Sequence, residues 1–280
     1  MRKRLKNIVL TLILLLTIHI GYGQSSNKYG ALTYNKAVNI SGKQRMLTQR
    51  MGKIYLYLLS NPNDFKAKKD LKITKIIFEK QNSILAKNTE ASLTKERIKE
   101  VTDTWEKYKK FLASQPNKDD AVKIINTNST ILKYANNVVN AIILESKGKT
   151  DGDDSFVEEE DSELKAIINK SGRQRMLSQR LALYYYASKP ELKNAKIERN
   201  LKSVYTEIDN ALNDLLISSF NNERIDEALG DVSALWETVK TNEDRLFKQG
   251  YEDKEMYNLS NQLTKSFNKI TNLYEKVRIE

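Results

Sequence analysis

Residues 39–50 read Asn39-Ile-Ser-Gly-Lys-Gln-Arg-Met-Leu-Thr-Gln-Arg50, and residues 169–180 read Asn169-Lys-Ser-Gly-Arg-Gln-Arg-Met-Leu-Ser-Gln-Arg180. The stretches are 130 residues apart and nine of their twelve positions are identical, while Lys43/Arg173 and Thr48/Ser178 are close substitutions. Tyr55 matches Tyr185, and Trp105 matches Trp236 one residue out of step. Elsewhere the halves share little beyond apolar periodicity. The chain is therefore expected to hold two copies of one module that have drifted apart everywhere except this segment.

Around the segment, apolar residues recur at three- and four-residue spacing. Ile125, Ile131, Leu132, Ala135, Val138, Val139, Ile142 and Ile143 form one such stripe, the mark of an amphipathic helix. Only 3 Pro and 10 Gly occur in 280 residues, a composition that favours long helices. The prolines fall at Asn61-Pro62-Asn63-Asp64, Gln115-Pro116-Asn117 and Ser188-Lys189-Pro190, and Gly250 follows Arg245-Leu246-Phe247. Proline lacks an N–H and disfavours helix in the residue before it, so these are helix stops. The breaks predict eight helices over 30–60, 64–89, 94–114, 118–147, 162–188, 191–219, 222–248 and 252–279. Short turns between long helices give an all-α fold of two tandem antiparallel four-helix bundles, covering 29–147 and 162–280. Residues 148–161 between them carry Asp151, Asp153, Asp154, Glu158, Glu159, Glu160 and Asp161. They lack the Asp-x-Asp-x-Asp-Gly order of a calcium loop and are expected to form an acidic linker.

The start of the chain has the form of a secretory leader. Arg2, Lys3, Arg4 and Lys6 precede an apolar run from Ile8 to Ile20, and Gly21-Tyr22-Gly23 supplies small residues where signal peptidase reads. The run is short of the ~20 apolar residues of a membrane span. A leader over 1–23, cleaved after Gly23, implies a periplasmic or secreted protein with no membrane span; the alternative is an uncleaved leader kept as a membrane anchor. The only His, His19, lies inside it, and there is no Cys. The mature chain would then lack imidazole and thiol, which excludes Cys/His zinc sites, His-ligated haem, Ser-His-Asp triads, cysteine nucleophiles and disulfides. No cofactor is expected, and an enzyme is disfavoured because no acidic pair sits in the repeated motif. Losing four positive and no negative side chains with the leader takes the net charge from +11 to +7. No cationic face interleaved with aromatics points to nucleic acid, whereas an anionic ligand suits this charge.

On a helix, Gly42, Arg45 and Gln49 share a face with Asn39 a turn earlier, and Asn169, Gly172, Arg175 and Gln179 repeat the set. Glycine inside a helix costs about 1 kcal/mol against Ala and usually allows close approach of a helix or ligand. A guanidinium one turn away, followed by Thr or Ser and Gln, makes a compact donor set for a small oxyanion. The competing structural reading places Gln44 and Gln174 as buried register-fixing groups on the heptad row of Ala37, Met51 and Leu58. It also leaves Arg50 and Arg180 to salt bridges. Tyr184-Tyr185-Tyr186, Trp105 and Trp236 are expected to be core or interface residues.

Ser171-Gly-Arg-Gln-Arg-Met-Leu-Ser-Gln-Arg180 resembles the signature of the PilJ-type domain at the N-terminus of type IV pilus chemotaxis transducers. It is also related to the periplasmic sensor domain of nitrate/nitrite sensor kinases. The resemblance implies a four-helix bundle and a sensory, nitrate/nitrite-like anion-binding role. In the nitrate sensors, the Arg three residues after the Gly contacts the anion at a two-fold interface, which implies Arg45 and Arg175 here. The neighbouring positions follow the pilus-transducer pattern. No HAMP-like segment, kinase or methyl-accepting region follows, so a membrane receptor or envelope protein is expected to receive the signal. The modules are expected to pair within one chain or in a homodimer, setting Arg45 against Arg175. At ~5.5 Å two such charges repel by roughly 3 kcal/mol at an effective dielectric of about 20. A bridging anion would reverse that and draw the modules together. The alternative is a non-catalytic helical scaffold whose motif only fixes helix packing.

Overall fold

The computed structural model describes the backbone of residues 28–147 and 155–277, with side chains from residue 162 in the second stretch. The expected leader and the first part of the acidic linker lie outside the described residues. A two-stranded antiparallel ribbon, β1 (Lys28–Tyr29) and β2 (Leu32–Thr33), precedes the helices. The helices of the first half are α1 (Tyr34–Ser60), α2 (Phe65–Asn88), α3 (Ser92–Phe111) and α4 (Lys118–Lys147). Those of the second are α5 (Ser155–Ala187), α6 (Ala195–Leu216), α7 (Glu223–Thr241), the short α8 (Glu243–Phe247) and α9 (Asp253–Tyr274).

These bounds follow from local chemistry. Thr33, Asp64, Asn194 and Asn222 accept backbone N–H groups with their side chains at the starts of α1, α2, α6 and α7, satisfying donors a helix end leaves orphaned. Several boundaries differ from the sequence-based expectation, three of them in ways that bear on the architecture. The first helix starts at Tyr34 rather than 30, because the ribbon turns at Gly30 with φ +59° and docks on the end of α2. There Ala31 donates its N–H to Asn88 Oδ1 and Tyr29 its hydroxyl to Leu85 O. Residues 155–161, expected as linker, belong to α5, where a run of acids suits a helix N-terminus. The segment expected over 222–248 breaks at Asn242 into α7 and α8.

Each half closes as a four-helix ring, α1–α2–α3–α4 and α5–α6–α7–α9, and the buried residues of the two rings form one continuous hydrophobic core. The most extensive helix pairing joins the halves, between α1 and α5. The two run parallel and nearly in register. Arg175 lies against Gly42 and Asn39 near the start of α1. Further along, Leu183 meets Gly52, the Tyr57 and Tyr186 rings lie 5.8 Å apart, and Lys189 reaches Ser60. Partners on both sides explain why α1 is buried almost round its circumference, polar motif included. The conserved aromatics serve the cores: Trp105 Nε1 donates to Glu79 and Trp236 Nε1 to Asp209, each at 3.0 Å. Tyr55 and Tyr185 bond to the backbone of the turns at Gln115 and Tyr251. No helix among the described residues is long and apolar enough to cross a membrane.

Candidate functional site

The site is built where the repeated segments meet, halfway round both bundles. Arg45 and Arg175 are 1 % and 0 % exposed, which is rare for a charged side chain. Each reaches across the seam to the backbone carbonyl of the other copy's Asn. Arg45 Nη2 donates to Asn169 O at 3.3 Å, and Arg175 Nη2 donates to Asn39 O at 3.4 Å. Each also bonds to an Asn on the last helix of its own bundle. Arg45 Nη1 lies 2.9 Å from Asn136 Oδ1, and Arg175 Nη1 lies 3.1 Å from Asn268 Oδ1.

Glycine is what lets the guanidinium groups lie here. A Cβ on Gly42 would stand 3.1 Å from Arg175 Nη2 and 3.5 Å from Arg45 Nη2. On Gly172 it would stand 2.8 Å from Arg175 Nη2 and 3.8 Å from Arg45 Nη2. Both Nη2 atoms are thus within 4 Å of the same point, so the two cations share one dry space. Neither has a carboxylate within ion-pair distance among the described residues. Burial pushes the Arg45 guanidinium down to about 9, with Arg175 and then Arg173 adding to the effect. It pushes Arg175 down to about 10, opposed by the Glu275 carboxylate. Both stay protonated at neutral pH, so the seam holds two buried positive charges whose desolvation is only partly offset by neutral acceptors.

The two sides of this clasp are unequal. Arg175 also donates from Nη1 to Asn39 Oδ1 at 2.7 Å and from Nε to Gly172 O at 3.4 Å. Asn39 in turn donates through Nδ2 to Glu275, relaying a negative charge towards Arg175. Arg45 Nε has no hydrogen-bond partner, and neither does the buried Oδ1 of Asn169. On the Arg45 side a cavity of about 290 Å³ opens between α4, α5 and α6.

Of the residues singled out from the sequence, Asn39, Gly42, Arg45, Asn169, Gly172 and Arg175 therefore come together. Gln49 and Gln179 are buried but sit a turn away: Gln49 Nε2 donates to Thr48 Oγ1, and Gln179 Nε2 to Ser260 O, Asn261 and Thr264. They tie the motif locally rather than joining the donor set. Gln44 bonds to Phe78 O and Gln81 across to α2, as a register-fixing residue would. Arg50 pairs with Asp70 at 3.8 Å, whereas Arg180 bonds to the Tyr184 hydroxyl at 2.8 Å and stacks on that ring. Sequence reasoning did not single out Asn136 and Asn268. Their only signal is a polar residue at matching places in the apolar stripes of α4 and α9.

The chain is thus a duplicated helical bundle whose copies pair through buried, glycine-backed arginines on two parallel helices. The type IV pili methyl-accepting chemotaxis transducer N-terminal family, PilJ, matches residues 31–130 and 159–264, and the chain belongs to that family as two tandem copies. This places it among sensory and signalling modules. No curated protein and no solved structure matches the chain.

Proposed function

We propose that the chain is an exported sensory module that recognises a small anion in the seam between its bundles and passes occupancy to a partner protein. The observation that carries this is the pair of buried guanidinium groups with no carboxylate partner among the described residues, one with an unused Nε N–H. An anion would lower the repulsion between them and replace lost solvation with charge-assisted hydrogen bonds. Because Arg45 belongs to the first bundle and Arg175 to the second, binding would be coupled to the angle between bundles, which an envelope receptor could read. The leader expected over 1–23 and a periplasmic or secreted location belong to this proposal. So does the division into bundles at 29–147 and 162–280.

Thermal melts of the mature chain at constant ionic strength, with millimolar nitrate, nitrite, sulfate or phosphate, test it. At a hundredfold excess over Kd, a ligand adds about 2.7 kcal/mol, which raises Tm by roughly 5–10 °C for a chain of this size. The shift should vanish in Arg45→Gln. One observation favours the scaffold reading instead: every nitrogen of Arg175 already donates to a protein acceptor. If no anion moves the melt while Arg45→Gln lowers it, the motif is a clasp and the sensory reading fails.

A further inference from the structure

We propose that the two copies have divided the work of the motif, with Arg175 holding the bundles together and Arg45 serving one small organic dianion in the cavity beside it. This rests on the reading that the seam takes an anion, and it changes where the anion sits and what it is. An anion on the pseudo-two-fold axis would need two equivalent arginines. Here Arg175 has all its nitrogens engaged and a carboxylate relayed to it through Asn39. Arg45 has an unpaired Nε and lines the cavity.

A second divergence removes a carboxylate from the same cavity. In the first copy Arg50 faces Asp70 at 3.8 Å. The corresponding pair in the second copy is Arg180 and Asn200, and both line the cavity. Arg180 has therefore lost the carboxylate its counterpart keeps, while the Nε of both arginines is buried without a partner among the described residues. Lys133, on the rim, has no ion pair among the described residues. The cavity's one carboxylate, Glu207, is taken by Arg173 at 2.5 Å. Arg45, Arg180 and Lys133 are left as three uncompensated cations from α1, α5 and α4.

The ligand's size and charge follow. The cleft, about 290 Å³ and open to solvent on one side, leaves room for more than a four-atom oxyanion. Two guanidinium forks suit planar carboxylates or a phosphate monoester bound bidentately, and Ser129, Asn136, Asn200 and Ser203 offer hydrogen bonds to a short polar frame. A ligand bridging Arg45 and Lys133 to Arg180 would join the first bundle to the second off the axis.

Titration calorimetry of the mature chain with succinate, glycerol phosphate and nitrate tests this. One organic dianion per chain is expected to bind, and more tightly than nitrate. Asn200→Asp, which restores the first copy's carboxylate, and Arg180→Gln should each weaken it roughly tenfold or more, the scale of one charge-assisted contact. Neither side chain is in the core, so both variants should melt near wild type. Asp70→Asn, the mirror change, should leave affinity unchanged. Two sites per chain, or dianion binding indifferent to Asn200→Asp and Arg180→Gln, overturns the division of labour. If nitrate binds through Arg45 regardless of Asn200→Asp, the seam reading survives and this one fails. If no probe binds, both fail.

Discussion

Gly172→Ala isolates the contact on which the clasp depends. The residue is buried inside α5, and a Cβ there would stand 2.8 Å from Arg175 Nη2, closer than such atoms approach without movement. The guanidinium cannot swing aside freely, because its nitrogens are held by Asn39 Oδ1 at 2.7 Å, Asn268 Oδ1 at 3.1 Å and Asn39 O at 3.4 Å. Alanine should gain about 1 kcal/mol of helix propensity. Against that, it must break at least one charged hydrogen bond, a loss of roughly 1.5–3 kcal/mol. The net expectation is destabilisation by roughly 0.5–2 kcal/mol. Gly230 supplies the control within the same chain. It lies in the exposed interior of α7, and a Cβ there meets nothing within 4 Å. Gly230→Ala should therefore stabilise by about 0.5–1 kcal/mol. Urea unfolding followed by circular dichroism should move the two midpoints in opposite directions at constant m. If Gly172→Ala stabilises as much as Gly230→Ala, Arg175 is not held against the helix backbone, and the reason given for the glycine is wrong.

Two further outcomes follow from buried and capping groups. Lys53 is fully buried, bonded to Ser260 Oγ and Asn261 Oδ1 and seated 4.2 Å from the centre of the Tyr257 ring, where the second copy has Leu183. Burial holds its ammonium well below the ordinary lysine range, with Arg50 adding to the effect and Asp70 opposing it. The folded chain thus binds this proton less tightly than the unfolded one, so stability should rise as the pH climbs towards 10.5. Lys53→Met should be more stable by roughly 1–2 kcal/mol at pH 7, and urea midpoints between pH 7 and 9 should show a flatter slope. Asp64 caps α2 and is held below the usual carboxylate range by Lys254 of α9 and then by the Ala67 N–H. Its contribution is present above its ordinary value of 3.8 and should fade as the pH falls below it. Asp64→Ala should cost about 1 kcal/mol at pH 7 and less at pH 2, read from the same unfolding curves.

Much of the fold was legible before any coordinates, because it rests on local signals. Pro62, Pro116 and Pro190 stop helices through their own backbones, and the apolar spacing of α4 follows from 3.6 residues per turn; at the fourth stop the left-handed residue is Gln249, beside the Gly250 that marked it. The ribbon over Lys28–Thr33 was not legible, since it depends on Gly30 and Asn88 meeting across 58 residues. Nor was the early start of α5, whose first turns are too acidic to show an apolar stripe. Within the motif, Asn39, Gly42 and Arg45 could be placed on one face by spacing alone. Gln49 and Gln179 could be placed on that face too, yet their partners were decided by which neighbouring helix offers an acceptor.

The amino-acid sequence by itself determined that this protein is a duplicated all-helical chain and that its polar repeats, Asn39–Arg50 and Asn169–Arg180, are the part apolar periodicity does not explain. Only the tertiary structure decided that α1 and α5 lie parallel, so that Arg45 and Arg175 enter one dry space backed by Gly42 and Gly172. It alone showed that identical residues face unequal surroundings, every Arg175 nitrogen engaged and Arg45 beside a cationic cavity. The reason is physical: periodicity is a property of neighbours along the chain. Burial of a charge and the acceptors left to it depend on groups far away in sequence, and near-identical segments cannot reveal that difference until the rest of the chain has folded around them.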